Sequence, residues 1–241
     1  MLQTYSSTVL RRDELTADVR QIELRLDDPP EMAFAAGQFV SFEIAQPGRR
    51  FPLTRPYSIV SAPDQRSSIV LLFNLVPGGP GSSFLDGLRG GDRVRFKGPA
   101  GTFVLRNDDG ARDLLFVATG TGIAPLWSML HARLAQSAPG RVILVWGLRR
   151  EEDRYYVDEL ERLARSHSEF TGIVTLSRPS ERWKGARGRV LRPIEQIVTT
   201  TEGLAVYVCG GSAMIRDVRT AVAQIGRCPV YWEQYYRDAA P

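Results

Sequence analysis

"VATGTGIAPLWSML", Val117–Leu130, joins an apolar strand-like run to a helical pattern through two glycines. The strand reads over Leu114–Ala118. Thr119, Gly120, Thr121 and Gly122 then turn the chain into a helix with Pro125 near its first turn, where a missing N–H costs little. Glycines let a ligand approach the backbone closely, and a helix N-terminus favours a diphosphate. No third glycine follows at the spacing of the G-x-G-x-x-G fingerprint, so the stretch by itself leaves a phosphate site and a plain tight turn both open.

The C-terminal half alternates. "RVILVWGLR" reads as strand, "VDELERLARSH" as helix, "FTGIVTLSR" as strand, "VLRPIEQIV" as a short helix, "LAVYVCGG" as strand and "AMIRDVRTAVAQIG" as helix. This order argues for a parallel sheet covered on both faces, an α/β domain. Ligands bind such sheets outside the carboxyl ends of the strands. Three ends carry suitable residues: Thr119–Gly122, Ser177 with Arg178, and Cys209 with Gly210 and Gly211. A free cysteine is ordinarily a small core residue and a loop arginine ordinarily a solvated charge, so it is the coincidence at one edge that counts.

The N-terminal half reads as β. Short apolar segments such as "GQFVSFEI", "RPYSIVSA", "SIVLLFNLV" and "DRVRFKGPAGTFVL" are separated by Gly, Pro and Asp, as in a small antiparallel barrel. One helix, "SSFLDGL" (Ser82–Leu88), interrupts it, with Ser82 expected as its N-cap after the glycine-rich "PGGPG". In "FPLTRPYSIVSAP" (Phe51–Pro63), Arg55 and Tyr57 share one strand face and Ser58 turns the other way. A guanidinium beside an aromatic ring suits a ligand with phosphate charge and a flat ring system; an edge strand with a surface arginine is the plainer alternative. The polar "RNDDGARD" (Arg106–Asp113) marks the boundary, giving domains 1–109 and 110–241.

The composition sets bounds. The 241 residues are 43% hydrophobic and 24% charged, with a net charge of +4 carried almost wholly by arginine. No apolar run is long enough to span a membrane and the N-terminus lacks the order of a secretory signal, so a cytoplasmic protein is expected. The basic excess fits an acidic partner or phosphorylated ligand, but there is no dense basic run of the kind that binds nucleic acid. Two cysteines cannot ligate an iron–sulfur cluster, and the two histidines have no metal-ligand spacing, so no metal is expected.

The ordered set "RPYS", "PGGPGSSFL", "GPAGTF", "TGTGIAP", "VWGLR" and "YVCGG" resembles the ferredoxin–NADP reductase superfamily over essentially the whole chain. The resemblance implies a flavin-binding barrel followed by a nicotinamide-binding domain, meeting at a cleft. It implies that Arg55 contacts the flavin phosphate, that Pro56 and Tyr57 lie along the flavin, and that Ser58 hydrogen-bonds near the hydride-accepting nitrogen. Leu75 and Val76 would line the cofactor through their backbone, and Gly81, Ser82 and Ser83 would face its diphosphate. Thr119, Gly120, Thr121 and Gly122 would hold the dinucleotide diphosphate, with Cys209, Gly210 and Gly211 beside the nicotinamide. Ser177 with Arg178 resembles the NADPH-using members, and Arg187 is a further cationic donor in the same stretch for a 2′-phosphate; NADPH is the expected donor and NADH the alternative, with FAD favoured over FMN. In "PVYWEQYYRDAAP", Glu233 is the candidate carboxylate for proton supply or nicotinamide positioning, and Tyr235 or Tyr236 a candidate flavin cover, although residues continue past the tyrosines. With no iron–sulfur cysteines, electrons would leave to a separate ferredoxin, flavodoxin or oxygenase component, from a monomer. Two alternatives stand beside this reading: a free-flavin reductase, and a flavin-binding module without nicotinamide activity. The intact "TGTG" and "YVCGG" weigh against the second.

Overall fold

The computed structural model describes residues 2–109, 112–136 and 138–236, with Tyr236 by its backbone. Gly110 and Ala111, where the sequence places the domain boundary, lie outside the described residues, as does the side chain of Tyr236. The chain divides into two compact units. One runs from the N-terminus to Leu105 and includes Trp127–Ala132; the other comprises Arg106–Leu126 and Arg133 to the C-terminus.

The first unit contains β1 (Gln3–Glu14), β2 (Val19–Asp28), β3 (Phe39–Ile44), β4 (Leu53–Ser58), β5 (Ser68–Asn74), helix α1 (Pro80–Gly87) and β6 (Arg93–Ala100). The strands form one sheet in the order β4-β3-β6-β1-β2-β5, and its described pairings are antiparallel. The sheet curls until its edges touch: Ile59, just past β4, bridges Leu71 of β5, and the Val60 amide donates to the Val70 carbonyl at 2.8 Å. Alternate residues point inward, so Ile22, Leu24, Phe42, Leu71 and Phe96 fill the barrel and Leu85 of α1 plugs it. The expected antiparallel barrel is therefore present.

α1 begins earlier than the sequence suggests. Pro80 takes the first helical position, where its fixed φ and missing N–H suit the helix, and Gly79 is the N-cap. The expectation that Ser82 caps the helix is overturned. Its hydroxyl lies inside the first turn, accepting from the Val76 amide at 3.0 Å and facing the Val76 and Gly79 carbonyls at 3.3 and 3.2 Å. The hydroxyl thus closes the turn that enters the helix.

The second unit contains β7 (Asp113–Thr119), the two ends of α2 (Ile123–Leu134), β8 (Val142–Leu148), α3 (Val157–Ser166), β9 (Phe170–Leu176), β10 (Ala186–Arg187), α4 (Leu191–Ile197), β11 (Leu204–Gly211), α5 (Ser212–Ile225) and β12 (Val230–Tyr236). The sheet order is β10-β9-β8-β7-β11-β12, and its described pairings are parallel. β7 and β11 are buried along nearly their whole length, as befits strands covered on both faces. α4 and α5 cover one face, packing Ile194, Ile215, Val218 and Val222 on Leu115, Val117, Val206 and Val208. The aromatic C-terminal segment adds a sixth strand beside β11. Among the described residues no helix is long and apolar enough to cross a membrane, and no three His, Cys, Asp or Glu side chains group as metal ligands.

Candidate functional site

In the first unit, β4 and the start of α1 come together. Arg55 and Tyr57 alternate with exposed Thr54 and Pro56, as the strand period requires. The Tyr57 ring is held edge-on between Phe42 and Phe73, with centroids 5.9 and 6.0 Å away. Glycine at position 81 is what allows α1 to lie so close: a Cβ there would stand 2.4 Å from Tyr57 Oη and 3.0 Å from Arg55 Cγ. The stem of Arg55, a phenol and the amide end of a helix without acidic residues in its first turn are thus gathered at one place, and the Arg55 guanidinium donates from Nη1 to the neighbouring Thr54 carbonyl at 2.9 Å. Helix dipole and guanidinium both favour an anion there. This fits a flavin phosphate tail.

The neighbouring candidates are differently placed. Ser58 ends β4, is buried and pairs with Phe39. The amides of Leu75 and Val76 are already donors, to the Asp18 carbonyl at 2.7 Å and to Ser82 Oγ at 3.0 Å. Any contact these two make through the backbone would therefore use their carbonyls. The Ser83 amide bonds back to the Gly79 carbonyl at 3.0 Å, as an ordinary helical bond.

In the second unit, the strand order reverses direction between β7 and β11. One side continues to β8, β9 and β10, the other to β12. This topological switch point is where open α/β sheets bind ligands. Thr119 ends β7, Gly120–Gly122 form a single 3-10 turn, and α2 follows. Gly120 has φ +53°, in the left-handed region that glycine tolerates. A Cβ on Gly122 would lie 2.5 Å from the Cys209 carbonyl oxygen, and one on Gly210 would lie 2.3 Å from Thr119 Oγ1. The Thr-Gly-Thr-Gly and Cys-Gly-Gly ends are therefore packed together at the switch point, with glycine enforced by backbone contact at Gly122 and by the Thr119 side chain at Gly210.

Cys209 is fully buried in β11, between Ala118 of β7 and Glu233 of β12 in the sheet register. Burial pushes its thiol well above the ordinary range, and the negative charge of Glu233 pushes the same way. It therefore stays a neutral SH group at physiological pH. Tyr235 lies on the same strand.

Ser177 and Arg178 continue past β9. The Ser177 amide donates to the Leu148 carbonyl at 3.0 Å and the Arg178 amide to the Arg149 carbonyl at 2.8 Å, which keeps both at the carboxyl edge of the sheet. With strands about 4.8 Å apart, β9 lies roughly 10 Å along that edge from β7. Arg187 is engaged within its own loop through one nitrogen. Its Nη2 donates to the carbonyls of Ser180, Glu181 and Trp183 at 3.0, 3.1 and 2.7 Å, closing the loop after β9. The same loop is fastened by Glu151, whose carboxylate accepts from Ser180 Oγ at 2.6 Å and from the Ser180 amide at 3.0 Å. The Ser180 hydroxyl accordingly holds the Glu151 carboxyl below its usual range.

Two residues that sequence reasoning missed touch the glycine turn directly. Trp146 Nε1 donates to the Gly120 carbonyl at 3.0 Å and Tyr155 Oη donates to the same oxygen at 3.1 Å. The tryptophan of "VWGLR" is a usable signal, because a buried indole requires an acceptor; the sequence around Tyr155 carries no comparable signal.

Comparison with known proteins adds three findings. Residues 6–105 match the family described as oxidoreductase FAD-binding domain, and residues 116–220 match the oxidoreductase NAD-binding domain. The chain is 37% identical over 230 residues to ferredoxin–NADP reductase B of Sorangium cellulosum, covering 92% of this chain and 93% of that protein. It is 29% identical to the ferredoxin–NAD(P)+ reductase component of the naphthalene 1,2-dioxygenase system of Pseudomonas putida, covering 96% of this chain and 67% of that protein. Among solved structures, a cytochrome P450 reductase of Amycolatopsis aligns with a TM-score of 0.86 at 28% identity, over 97% of this chain and 70% of that one.

Proposed function

Because the chain belongs to the ferredoxin–NADP reductase superfamily, and is with it an NAD(P)H-dependent flavoprotein reductase, we propose that it passes electrons from NADPH through FAD to a separate ferredoxin, flavodoxin or oxygenase component. The observation that carries this reading is the pair of glycine-enforced cradles, one at Gly81 beside Arg55 and Tyr57, the other at Gly122 against Cys209. The names of the relatives supply the acceptor class: a ferredoxin for the Sorangium protein and a dioxygenase system for the Pseudomonas component.

On this reading the barrel unit keeps the flavin. Arg55 and the first amides of α1 hold its phosphates, Tyr57 lies along it with its ring fixed by Phe42 and Phe73, and Ser58 and the Leu75–Val76 carbonyls border it. FAD held there would supply the redox chemistry, taking two electrons as hydride and giving them up singly. In the nucleotide unit, Thr119–Gly122 receive the dinucleotide diphosphate. Cys209, Gly210 and Gly211 border the nicotinamide, where a neutral, small thiol leaves the ring room. Glu233, next to Cys209 in register, positions the nicotinamide. Ser177 and Arg178 take the 2′-phosphate; with Arg187 spent on the loop's own carbonyls, Arg178 is the arginine assigned to it. The reading is tested by mixing the flavin-loaded protein anaerobically with NADPH or NADH and then adding a [2Fe–2S] ferredoxin. Fast bleaching of the flavin by NADPH and one-electron reduction of the ferredoxin are expected. Bleaching without onward transfer would remove the carrier assignment, and no bleaching would remove the whole reading.

A further inference from the structure

The Gly120 carbonyl receives more donors than a turn into a helix requires. The Ile123 amide donates to it and shares that hydrogen with the Thr121 carbonyl. Trp146 Nε1 and Tyr155 Oη add two more at 3.0 and 3.1 Å, from β8 and from the segment just before α3. A carbonyl oxygen has two lone pairs, so three converging donors saturate it. Both side chains are buried, Trp146 completely. Their rings meet edge-to-face with centroids 4.8 Å apart, and Tyr156 packs on Tyr155 in the same way at 5.1 Å.

A peptide unit is planar and trans, so its C=O and N–H point in opposite directions. Fixing the Gly120 oxygen therefore fixes the direction of the Thr121 N–H, away from the two aromatic donors. A buried indole needs some acceptor, and that need by itself would explain Trp146. It does not explain why a second buried donor from another element selects the same oxygen. Nor does it explain the backbone beside that donor. Tyr156 has φ +56°, the left-handed region, and no other non-glycine residue among those described has a positive φ. A bulky residue adopts that conformation at an energetic cost, and such outliers gather at functional sites.

We propose that Trp146 and Tyr155 are positioning residues for nicotinamide dinucleotide binding: they lock the Gly120–Thr121 peptide so that the turn presents its amide edge to the diphosphate. The inference rests on the assignment of the Thr119–Gly122 turn to that diphosphate. NADPH and NADH share the diphosphate, so loss of the lock weakens both alike, unlike loss of a 2′-phosphate contact.

Tyr155→Phe removes one donor and keeps the ring; Trp146→Phe removes the other. In the flavin-loaded protein, each is expected to raise the KM for NADPH and for NADH by the same factor, about 3- to 10-fold, the effect of one lost hydrogen bond, with kcat and bound flavin unchanged. Gly120→Ala, within the turn itself, serves as the control for the site. If Gly120→Ala raises both KM values and Tyr155→Phe raises neither, the positioning role is overturned and the site stands. If neither variant moves KM, the assignment of the turn falls with it. A Tyr155→Phe effect on one cofactor only, or on kcat with KM constant, also overturns the inference.

Discussion

The two cradles of this molecule are built on opposite plans. At α1 the close fit is made by side chains: a Cβ at Gly81 would meet Tyr57 Oη and Arg55 Cγ, and Arg55 brings a formal charge. At the β7 turn the fit is backbone against backbone: a Cβ at Gly122 would meet the Cys209 carbonyl, and the turn's own carbonyl is pinned by two neutral aromatic donors. Charge-assisted hydrogen bonds are roughly twice as strong as neutral ones. On the proposed reading, the charged cradle keeps a resident flavin and the neutral one admits a donor that must leave at every turnover. Retention calls for strength; exchange calls for a preformed shape with modest affinity.

The sharpest way to break this contrast is Gly122→Ala. Its Cβ would stand 2.5 Å from the Cys209 oxygen, so the turn and β11 must move apart. Flavin reduction by NADPH should fall by roughly 100-fold, as for a misplaced reactant, while the flavin-to-protein ratio stays constant. Loss of flavin in this variant would show that the two cradles are not separable. Arg55→Ala should do the converse. Flavin affinity should weaken by about 1.5–3 kcal/mol, the worth of a hydrogen bond to a charged group, as measured by flavin titration of the apoprotein. Undiminished affinity would mean that charge is not what retains the flavin.

Smaller effects refine the nucleotide side. Arg178→Ala should weaken NADPH by about 1–3 kcal/mol and leave NADH nearly unchanged; equal losses would remove the 2′-phosphate assignment. The thiols should differ in reactivity. Thiolate is the nucleophile, and burial raises both pKa values, but Cys209 is fully buried beside the Glu233 charge whereas Cys228 is partly exposed. At pH 8, iodoacetamide should label Cys228 first and Cys209 on unfolding. Early labelling of Cys209 would contradict a closed, neutral thiol at the switch point.

Much of this was legible in the sequence because it lies in periodicity. The strict strand–helix alternation after Leu114 fixes a parallel sheet, and the glycine and proline punctuation before it fixes short antiparallel strands. What was not legible depends on contacts remote in sequence. Val230–Tyr236 reads as an aromatic tail, yet it pairs along β11 as an edge strand. Removing everything after Pro229 would therefore strip a strand from the sheet as well as any ring that covers the flavin. Ser82 has the composition of a cap, but proline at the first helical position sets the helix start and leaves its hydroxyl to the turn. Arg187 reads as a phosphate ligand by type, and only the folded loop shows three carbonyls on its guanidinium. Tyr155 is separated from Gly120 by 35 residues, and no local pattern joins them.

The most direct test of the account is the visible spectrum of the purified protein after gel filtration, followed by anaerobic addition of NADPH. Flavin bands near one per chain that bleach with NADPH, and FAD on release by heat, are expected. A colourless protein that oxidises NADPH only when free flavin is supplied would contradict it, for then the cradle at Arg55 and Gly81 would hold flavin as a passing substrate.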